Sequence, residues 1–345
     1  MINVAVIGTG VMGQNHLRVY SKMKNVKITA AVDPVLASAQ AAAKEYNCNA
    51  YGSVKELLTS EKLDAISIAV PTKLHLQVAM QVINAGVPVL VEKPLTFKTT
   101  DSRKLISHAK HKKVLLMAGH IERFNPVVIA AQEFLKTGKL GKPVSFLFRR
   151  IGLFPSRVKD INVIQDIGVH DIDLLHFLSG KKPKLKGAAA GSAFIQGRYD
   201  YCQMLFEVNG ASAVIECNWI TPTRVREFHI VGNKGVLKAD LFNQTLEFYP
   251  TIVTRDSNRN VAQMLPAKKE DITVKKSEPL QLELEYFLQC IKTGQNKLMP
   301  PEDAALAVEI ANEATNSLMK RFAVKKALRL IGVPDSVTNR LIKQD

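Results

Sequence analysis

Hydrophobic and polar positions alternate in blocks along residues 1–120. Short apolar runs rich in β-branched residues predict five strands, which read "INVAVIG", "VKITAAVD", "DAISIAV", "VPVLVE" and "VLLMAG" in chain order. Amphipathic stretches between them predict helices, for example over Ala37–Tyr46, Leu74–Ala85 and Asp101–His111. Strands that are apolar on both faces and alternate with helices are typical of a parallel, doubly wound sheet. We therefore predict an N-terminal α/β domain with a parallel sheet.

The pattern changes after residue 120. Helices are predicted over Val127–Lys136 and over the stretch "DIGVHDIDLLH" at 166–176. Further strands are predicted near 185–193, 201–208, 212–220, 225–232, 235–240 and 244–249. Tight turns such as "EVNGAS" and "VGNKGV" join them, so a second α/β domain should contain a mixed or antiparallel sheet. The polar stretch 250–279 predicts a long loop, followed by helices over Leu280–Thr293 and Glu302–Phe322.

The length and composition fit a two-domain soluble protein. At 345 residues the chain exceeds one typical hydrophobic core, so we expect domains at 1–122 and 123–345. No apolar run approaches the roughly 18–20 residues that span a bilayer. The start "MINVAVIGTG" lacks the basic region and cleavage site of a signal peptide, so we expect a cytoplasmic protein without stable membrane insertion. Four cysteines without CxxC spacing argue against a zinc site or a disulfide framework.

The formal net charge of +16 is unusually high. It is compatible with a nucleic-acid partner, with an anionic small substrate such as a phosphorylated sugar, or with a basic surface that serves no specific partner. Because the chain has no helix-turn-helix, RNP or zinc-finger pattern, we expect no nucleic-acid partner. The basic residues are most concentrated in "KRFAVKKALR" at 320–329. Contact of this segment with an anionic membrane surface is an alternative that its irregular apolar spacing disfavours.

A glycine-rich loop follows the first predicted strand and opens the first predicted helix. Its residues, all candidate cofactor ligands, are Gly8, Thr9, Gly10, Val11, Met12 and Gly13. In a GxGxxG loop the first glycine allows a tight turn, the second admits a pyrophosphate, and the third lets helix and strand pack closely. Asp33, at the end of the second strand, is placed to bind the adenosine ribose and to repel a 2′-phosphate. These features predict a Rossmann domain that prefers NAD to NADP; a flavodoxin-like fold is the alternative.

The tripeptide Glu92-Lys93-Pro94 follows the fourth predicted strand. Ligands of open α/β sheets bind beyond the carboxyl ends of the strands, so Glu92 and Lys93 should lie near the nicotinamide. Pro94 restricts the residue before it to an extended backbone. A lysine fixed in this way can donate to a substrate hydroxyl and stabilise a developing alkoxide. An ordinary surface lysine at a strand end is the alternative.

The stretch "DIGVHDIDLLH" carries candidate acid/base residues. In a helix with about 100° per residue, Asp166, His170 and Asp173 would share one side. Asp166 would then hydrogen-bond His170 and raise its basicity, so that His170 acts as a general base, with Asp173 in support. Asp171 is expected to form a salt bridge or to be a surface carboxylate, and His176 is expected to pack against apolar neighbours or to make a structural hydrogen bond. A metal site on the two histidines and Asp173 is the alternative, but the spacing differs from that of HExxH zincins, and we expect no metal.

The GxGxxG loop, the EKP tripeptide and the D-x-G-x-H pattern together resemble the glucose–fructose oxidoreductase/inositol dehydrogenase/rhizopine catabolism (Gfo/Idh/MocA) family. "AVPTKLHLQVA" also fits, and the resemblance is strongest over residues 1–126 and 141–180. The family implies a Rossmann domain and a C-terminal α/β domain with an open, mainly antiparallel sheet, whose face often forms an oligomer interface. It also implies an NAD-dependent dehydrogenase acting on a CH–OH group of a sugar or cyclitol. We accordingly expect a homodimer or homotetramer formed through the C-terminal sheet.

The resemblance implies roles for individual residues. The catalytic residues would be Lys93, Asp166 and His170. Further cofactor contacts would come from Pro71, Thr72, His75, Glu92 and Lys93. Substrate contacts would come from Arg123, Asn125, Arg149, Arg150, Arg157, Asp166 and His170. Arg149, Arg150 and Arg157 bracket a predicted loop, and arginine suits a diphosphate because its planar donors stay charged. The alternative is that one or two of them are ordinary surface or salt-bridge residues, and we expect at least one to be so.

Two segments narrow the resemblance. "GHIERFNPVV" at 119–128 and "RRIGLFPSRVKDINVIQDIGVHDIDLLHFLSG" at 149–180 are similar to the branch that oxidises UDP-N-acetylglucosamine at its 3-hydroxyl. We therefore predict oxidation of a ring hydroxyl of a nucleotide sugar, and most specifically of that 3-hydroxyl. A dehydrogenase of a free sugar or inositol-type cyclitol is one alternative, since it would share every catalytic residue. A non-catalytic NAD-binding regulator is another, which the presence of the lysine and histidine disfavours.

Overall fold

The computed structural model describes residues 1–155, 161–258 and 260–330, with the backbone alone at 262 and 320–330. The chain divides into two compact units. The first unit comprises residues 1–139, 239–248 and 268–309, and the second comprises residues 140–238, 249–267 and the chain from 310 onward. No described helix is both long and apolar enough to cross a membrane.

Neither unit is a single stretch of chain, whereas the sequence predicted one boundary between residues 122 and 123. The difference arises from apolar packing of a C-terminal segment. Leu284, Phe287 and Met299 are fully buried in the same cluster as the N-terminal strands. Because burying such a side chain stabilises the fold by about 1.5–3 kcal/mol, this segment becomes part of the first unit.

The first unit contains a parallel sheet. Its elements are β1 (Ile2–Ile7), α1 (Val11–Tyr20), β2 (Val26–Val32), α2 (Leu36–Tyr46), β3 (Asn49–Tyr51), α3 (Val54–Ser60), β4 (Ala65–Ile68), α4 (His75–Asn84), β5 (Val89–Glu92), α5 (Thr99–Lys112) and β6 (Leu116–Gly119). Within the described residues six strands lie in the order β3-β2-β1-β4-β5-β6, with parallel pairing throughout. The predicted doubly wound sheet is confirmed, and the prediction missed only the short strand β3.

The strand order of this sheet reverses between β1 and β4. The chain leaves the two strands toward opposite sides, so a crevice opens at their carboxyl ends, where ligands of open α/β sheets bind. The backbone N–H of Ala69 donates to the Ile7 carbonyl at 2.8 Å, and the N–H of Gly8 donates to the Val32 carbonyl at 2.7 Å. These bonds hold β1, β2 and β4 together up to the crevice, where the glycine-rich loop begins.

The remaining elements are the strands of a second sheet and further helices. They are α6 (Pro126–Lys136), β7 (Pro143–Leu153), a π-helical turn (Ile164–Gly168), α7 (Val169–Ser179), β8 (Lys184–Gly191), β9 (Tyr201–Val208), β10 (Ala211–Asn218), β11 (Ile220–Gly232), β12 (Gly235–Asp240), β13 (Thr245–Arg255), β14 (Val261–Pro266), β15 (Glu270–Ile272), α8 (Pro279–Thr293) and α9 (Pro301–Leu330). Helices α6 and α8 belong to the first unit. In the part of the chain that the structure describes, the sheet has nine strands in the order β14-β13-β12-β11-β7-β10-β9-β8, with β15 paired to β13. Strands β7 and β10 are parallel, whereas β7–β11, β8–β9, β9–β10 and β13–β14 are antiparallel. The predicted open, mainly antiparallel sheet is confirmed.

Strand β7 corrects the prediction that Arg149 and Arg150 border a loop. It lies between β10 and β11, and its buried residues Phe146, Phe148 and Arg150 alternate with more exposed ones. In the sequence an arginine counts as a polar position even where it is buried. The two adjacent arginines therefore concealed the alternation of buried and exposed positions in this strand. Because neighbouring side chains of a strand point to opposite faces, the two arginines have different surroundings.

Residues 250–279 also differ from the predicted loop. Strand β13 continues to Arg255, and β14 and β15 both pair with it. Most described side chains of β14 and β15 are exposed. Exposed strands of this kind lack the apolar alternation from which a strand is predicted, which explains why the prediction failed here.

Candidate active site

The three glycines between β1 and α1 differ in the space around them. A Cβ on Gly13 would lie 1.8 Å from the carbonyl oxygen of Gly8, and a Cβ on Gly8 would lie 2.6 Å from the carbonyl oxygen of Ala69. Gly8 also has a φ of +92°, which glycine adopts without strain. A Cβ on Gly10 would meet nothing within 4 Å. The fold therefore requires Gly8 and Gly13, whereas the space beside Gly10 is open to a ligand.

Helix α1 begins at this open space. Its N-cap residue is Gly10, which has no side chain to cap the first amides, and both Gly10 and Val11 are exposed. Met12 is half-buried beside them. The free N–H groups and the positive end of the helix dipole suit a pyrophosphate. The loop therefore fits a dinucleotide, on the evidence of its own geometry.

The carboxylate of Asp33 is tied to the glycine-rich loop. Its Oδ2 accepts the backbone N–H of Thr9 at 3.0 Å and the Thr9 hydroxyl at 3.1 Å, and its Oδ1 accepts the N–H of Val35 at 3.0 Å. A carboxylate offers about four acceptor positions. Three fixed donors therefore orient the group and leave room for another donor, such as a ribose hydroxyl. Sequence reasoning found the acid but missed its contact with Thr9.

Pro71 and Thr72 follow β4 at the same edge of the sheet. Pro71 is exposed, and Thr72 is half-buried at the start of a short 3-10 turn that leads into α4. Their position beyond the carboxyl end of a parallel strand is where the fold places ligand contacts. Both residues are thus accessible to a ligand at that edge.

His75 connects the turn after β4 to the segment after β5. Its Nδ1 lies 2.9 Å from the carbonyl oxygen of Pro94, and its Nε2 lies 2.9 Å from that of Val70. Burial lowers the pKa of His75 despite these two carbonyls, so the ring is neutral near pH 7 and donates to one of them at a time. This residue, which was predicted to contact the cofactor, fixes the backbone beside Lys93.

Glu92 is buried at the end of β5 and anchors the residue after it. Its Oε2 accepts the backbone N–H of Lys93 at 3.1 Å, and its Oε1 lies 2.9 Å from Nε2 of His16 in α1. Burial opposes ionisation of Glu92, but His16 and Lys93 outweigh it and lower the pKa of the carboxyl. Lys93 itself is half-buried, and its peptide bond to Pro94 is cis. The structure thus presents Glu92 as a buried carboxylate behind Lys93, and not as an exposed cofactor ligand.

Arg123 and Asn125, both predicted to contact substrate, are buried with partners from the first unit. Arg123 is 1% exposed and donates to the Leu298 carbonyl at 2.9 Å and to the Asp303 carboxylate at 2.8 Å. Asn125 accepts a backbone N–H of the first turn of α6 at 3.2 Å and donates to the Leu241 carbonyl at 3.0 Å. These contacts correct the expectation, because the protein itself uses the donors that were assigned to a substrate.

Arg149 and Arg150 lie on opposite faces of the second sheet. Arg150 is 2% exposed, and its Nε and Nη2 contact the carboxylate of Asp171 on α7 at 2.8–3.1 Å. The salt bridge predicted for Asp171 is therefore present, and it is buried. Arg149 donates through Nε to Glu216 on β10 at 3.0 Å and stays partly exposed. Two side chains on opposite faces cannot bind one diphosphate together, and the third predicted arginine, Arg157, lies outside the described residues.

Asp166 lies in the π-helical turn, and His170 lies in the first turn of α7. The prediction assumed one continuous α-helix, but the wider π turn changes the direction of side chains between the two residues. Both are buried, with 2% and 8% of their surface exposed, and Asp173 is 2% exposed. Single π turns are frequent at functional sites, so this irregularity agrees with a specialised role.

Asn162, which sequence reasoning missed, and Gly168, the glycine of the D-x-G-x-H pattern, shape the π turn. Oδ1 of Asn162 accepts backbone N–H groups of the turn at 2.9 and 3.2 Å, and an Asn directly before an apolar run is a signal for such a cap. A Cβ on Gly168 would lie 3.3 Å from Sγ of Cys217 and 3.3 Å from Cε of Met204. The glycine therefore lets the turn lie close against β9 and β10.

His176 has the structural contact that was predicted for it. Its Nδ1 lies 3.1 Å from the carbonyl oxygen of Lys181, just beyond the end of α7. Among the described residues, no group of three or more His, Cys, Asp or Glu side chains is arranged to hold a metal ion. The alternative metal site on His170, Asp173 and His176 therefore has no support from their positions.

These features define an α/β oxidoreductase with a dinucleotide-binding parallel sheet and a second, mainly antiparallel sheet. The model of the "oxidoreductase family, NAD-binding Rossmann fold" matches residues 2–120, and that of the "GFO/IDH/MocA C-terminal domain" matches residues 128–238. The chain belongs to the Gfo/Idh/MocA family. The predictions of an NAD cofactor and of an NAD-dependent dehydrogenase are confirmed at the level of this family.

Two relatives of this chain are named for different substrate classes, a nucleotide sugar and a cyclitol. UDP-N-acetylglucosamine 3-dehydrogenase of Acidithiobacillus ferrooxidans is 29% identical over 291 residues, which cover 84% of this chain and 88% of the relative. A solved structure of an enzyme of that name and organism has a TM-score of 0.79 at 26% identity, covering 91% and 96% of the two chains. The scyllo-inositol 2-dehydrogenase (NAD(+)) of Bacillus subtilis is 24% identical over 338 residues, which cover 94% and 96%. The chain is thus similar to sugar and cyclitol dehydrogenases.

Proposed function

We propose that this protein oxidises a ring hydroxyl of a nucleotide sugar with NAD, and most specifically the 3-hydroxyl of UDP-N-acetylglucosamine. The observation that carries the proposal is the joint similarity in sequence and fold to UDP-N-acetylglucosamine 3-dehydrogenase, which extends over most of both chains. The net charge of +16 supports an anionic substrate, because a positive field raises the rate at which anions arrive.

Residues of the first unit bind the cofactor and polarise the substrate in this proposal. Bound NAD supplies the hydride acceptor. The amides at the start of α1 bind the pyrophosphate beside Gly10, and Asp33 accepts hydrogen bonds from the adenosine ribose. Lys93, anchored from behind by Glu92, donates to the substrate hydroxyl and stabilises negative charge on that oxygen as its proton leaves.

His170 is the acid/base group in this proposal. His170 takes the proton of the hydroxyl as a general base, and Asp166 and Asp173 support it from the same buried segment. The two residues whose loss would favour a non-catalytic regulator, Lys93 and His170, are both present. We assign no substrate contact to Arg123, Asn125 or Arg150, because their donors already have buried protein partners.

A coupled assay tests this function. The enzyme is incubated with NAD and UDP-N-acetylglucosamine, together with an aminotransferase that consumes the 3-oxo sugar, and NADH is followed by absorbance. We expect NADH formation that depends on the UDP-sugar and is lost in Lys93→Ala and His170→Ala. Turnover of free inositol or glucose without turnover of the UDP-sugar would contradict the substrate proposal. Full activity of Lys93→Ala would contradict the catalytic proposal.

A cyclitol dehydrogenase is the second candidate, favoured by the nearly complete coverage of scyllo-inositol 2-dehydrogenase. The two candidates share the catalytic residues and differ in the part of the substrate beyond the ring. Calorimetric titration with UDP alone separates them, because a nucleotide-sugar site binds UDP and a cyclitol site does not. Saturable UDP binding that competes with the sugar substrate supports the first candidate.

We also propose that the protein forms a homodimer or homotetramer through the outer face of the second sheet. Leu205, Val214, Leu147 and His229 lie side by side across β9, β10, β7 and β11. Leu147 and Leu205 are 40% and 48% exposed, so a second copy of the chain would bury an apolar row. Leu205→Glu should lower the mass measured by analytical ultracentrifugation. The control is a glutamate at an exposed apolar site of the first unit, and equal masses of the two variants would contradict the proposal.

A further inference from the structure

Four ionisable side chains form a buried cluster in the first unit, and one of them directly precedes Lys93 in the sequence. His16 and Tyr20 come from α1, Glu92 from β5 and Glu283 from α8. Glu92 is 6% exposed and the other three are fully buried. Sequence reasoning singled out none of them except Glu92. Buried ionisable groups are costly unless they are paired, so a cluster of four requires an explanation.

The first part of the cluster links α1 to the backbone of Lys93. Nε2 of His16 lies 2.9 Å from Oε1 of Glu92, and Oε2 of Glu92 accepts the backbone N–H of Lys93 at 3.1 Å. A carboxylate only accepts, so the His16 ring carries a proton on Nε2 and donates it. A Cβ on Gly119 would lie 3.2–3.4 Å from Glu92, which shows how little space that side chain has to move. His16 and Glu92 thus fix the position of the Lys93 backbone.

The second part of the cluster is a carboxyl group without a countercharge of its own. Within the described residues, neither carboxyl oxygen of Glu283 has a hydrogen-bond partner, and Nδ1 of His16 has none either. Burial, and then the negative charge of Glu92, raise the pKa of Glu283 well above its ordinary value. Two ionised carboxylates buried near each other would repel, which is unfavourable. Glu92 therefore carries the charge, and Glu283 keeps its proton.

We propose that His16 is a positioning residue for hydride transfer, which acts through Glu92 on the backbone of Lys93, and that Glu283 serves as a neutral acid beside this pair. The inference rests on the proposed catalytic role of Lys93. Among the described residues, the ionisable groups that interact with Glu92 are His16, His75, Lys93 and Glu283. Tyr20 contacts the His16 ring edge-on, with ring centroids 6.4 Å apart.

A positioning role predicts a loss of rate that a matched donor restores. His16→Leu removes the donor to Glu92 and should lower kcat by about 10- to 100-fold, since small misplacements of a catalytic group cost factors of that order. The KM for the sugar should change much less than kcat. His16→Gln places an amide donor near the former Nε2 and should recover most of the lost rate. His108→Leu, which removes a histidine of α5 that contacts the Asn84 side chain at an exposed site, is the control and should keep the kcat of the unmodified enzyme.

Replacement of Glu283 by its neutral isostere, glutamine, tests whether the side chain is protonated. Glu283→Gln resembles the protonated acid, so kcat at neutral pH should be unchanged within about twofold, because an isosteric exchange of this kind removes no charge from the pair. A large loss of kcat in Glu283→Gln, with normal thermal unfolding, would show that an ionised Glu283 is needed and would overturn this part of the proposal.

The outcomes separate this inference from the proposed function. Affinity for NADH, measured by fluorescence titration, and thermal unfolding of the cofactor-free protein provide readouts besides activity. His16→Leu with normal kcat, or equal losses of kcat in His16→Leu and His16→Gln, would overturn the positioning role. If Lys93→Ala abolishes turnover while both His16 variants remain fully active, only the positioning inference fails. If Lys93→Ala remains fully active, the proposed role of the lysine fails first.

Discussion

Arg150 and Asp171 form a buried ion pair between the central strand β7 and helix α7, with N–O distances of 2.8–3.1 Å. Both side chains are 3% exposed. Arg150 was predicted to bind a substrate diphosphate, but its guanidinium instead holds α7, the helix that carries His170, against the sheet. The pair therefore bears on the active site through the position of α7.

Breaking this pair should destabilise the protein strongly. Arg150→Ala leaves a buried carboxylate without its partner, which costs about 3–5 kcal/mol in comparable cases. The measurement is urea unfolding followed by circular dichroism. Arg149→Ala is the matched control, because the neighbouring arginine pairs with Glu216 at a side chain that is 43% exposed. Such surface pairs contribute about 0–1 kcal/mol. Equal losses in the two variants would contradict the assignment of opposite faces.

Two glycines of the same loop should respond differently to one added methyl group. Gly13→Ala places a Cβ 1.8 Å from a backbone carbonyl oxygen, so it should lower the free energy of unfolding by about 1–3 kcal/mol or more. Gly10→Ala meets no protein atom within 4 Å and should change that free energy by at most about 0.5 kcal/mol. Its Cβ occupies the space proposed for the pyrophosphate, so affinity for NADH should fall at least about tenfold, or 1.4 kcal/mol. Unchanged NADH affinity in Gly10→Ala would place the cofactor elsewhere.

Local patterns were sufficient to predict the first sheet. Its strands are buried on both faces, and the glycine-rich loop and Asp33 lie at fixed distances along the chain, so each element carries its own signal. The prediction missed strand β7 because the buried positions of this strand include Arg150, whose partner Asp171 is twenty-one positions away in the sequence. From the sequence alone, a buried charged residue cannot be distinguished from an exposed one unless its partner is known.

The candidate site was predictable where it depends on residue type, and not where it depends on distant contacts. Gly8 and Gly13 have the close backbone contacts that the motif implies, and the space beside Gly10 is open. The predicted substrate contact of Arg123 was not supported, because its partner Asp303 is far away in sequence. The contribution of His16 was invisible for the same reason, since only the fold brings α1 beside the end of β5.

Replacement of Glu283 should make stability less dependent on pH. Its pKa is raised in the folded protein above the ordinary value of 4.5, so the folded chain keeps a proton that the unfolded chain releases. The contribution of Glu283 to stability is thus fully present below the unfolded pKa and is lost as the pH rises toward the folded pKa, by about 1.4 kcal/mol per pH unit. Glu283→Gln removes this loss. Thermal and urea unfolding should therefore show the variant gaining stability over the parent from pH 5 to pH 8; a difference that does not grow with pH would contradict a neutral Glu283.

Removal of the charge at Asp33 should relax the preference for NAD. Asp33→Asn keeps an oxygen that can accept from Thr9, so the loop should stay in place, while the repulsion of a 2′-phosphate disappears. We expect the ratio of NADPH to NADH affinity, measured by fluorescence titration, to rise by about tenfold or more, which corresponds to about 1.4 kcal/mol. Asp64→Asn is the control, since this aspartate bonds the N–H of Asn3 at an exposed site of the same sheet. If the ratio of NADPH to NADH affinity is the same in Asp33→Asn and Asp64→Asn, the Asp33 carboxylate only holds the loop and does not select the cofactor.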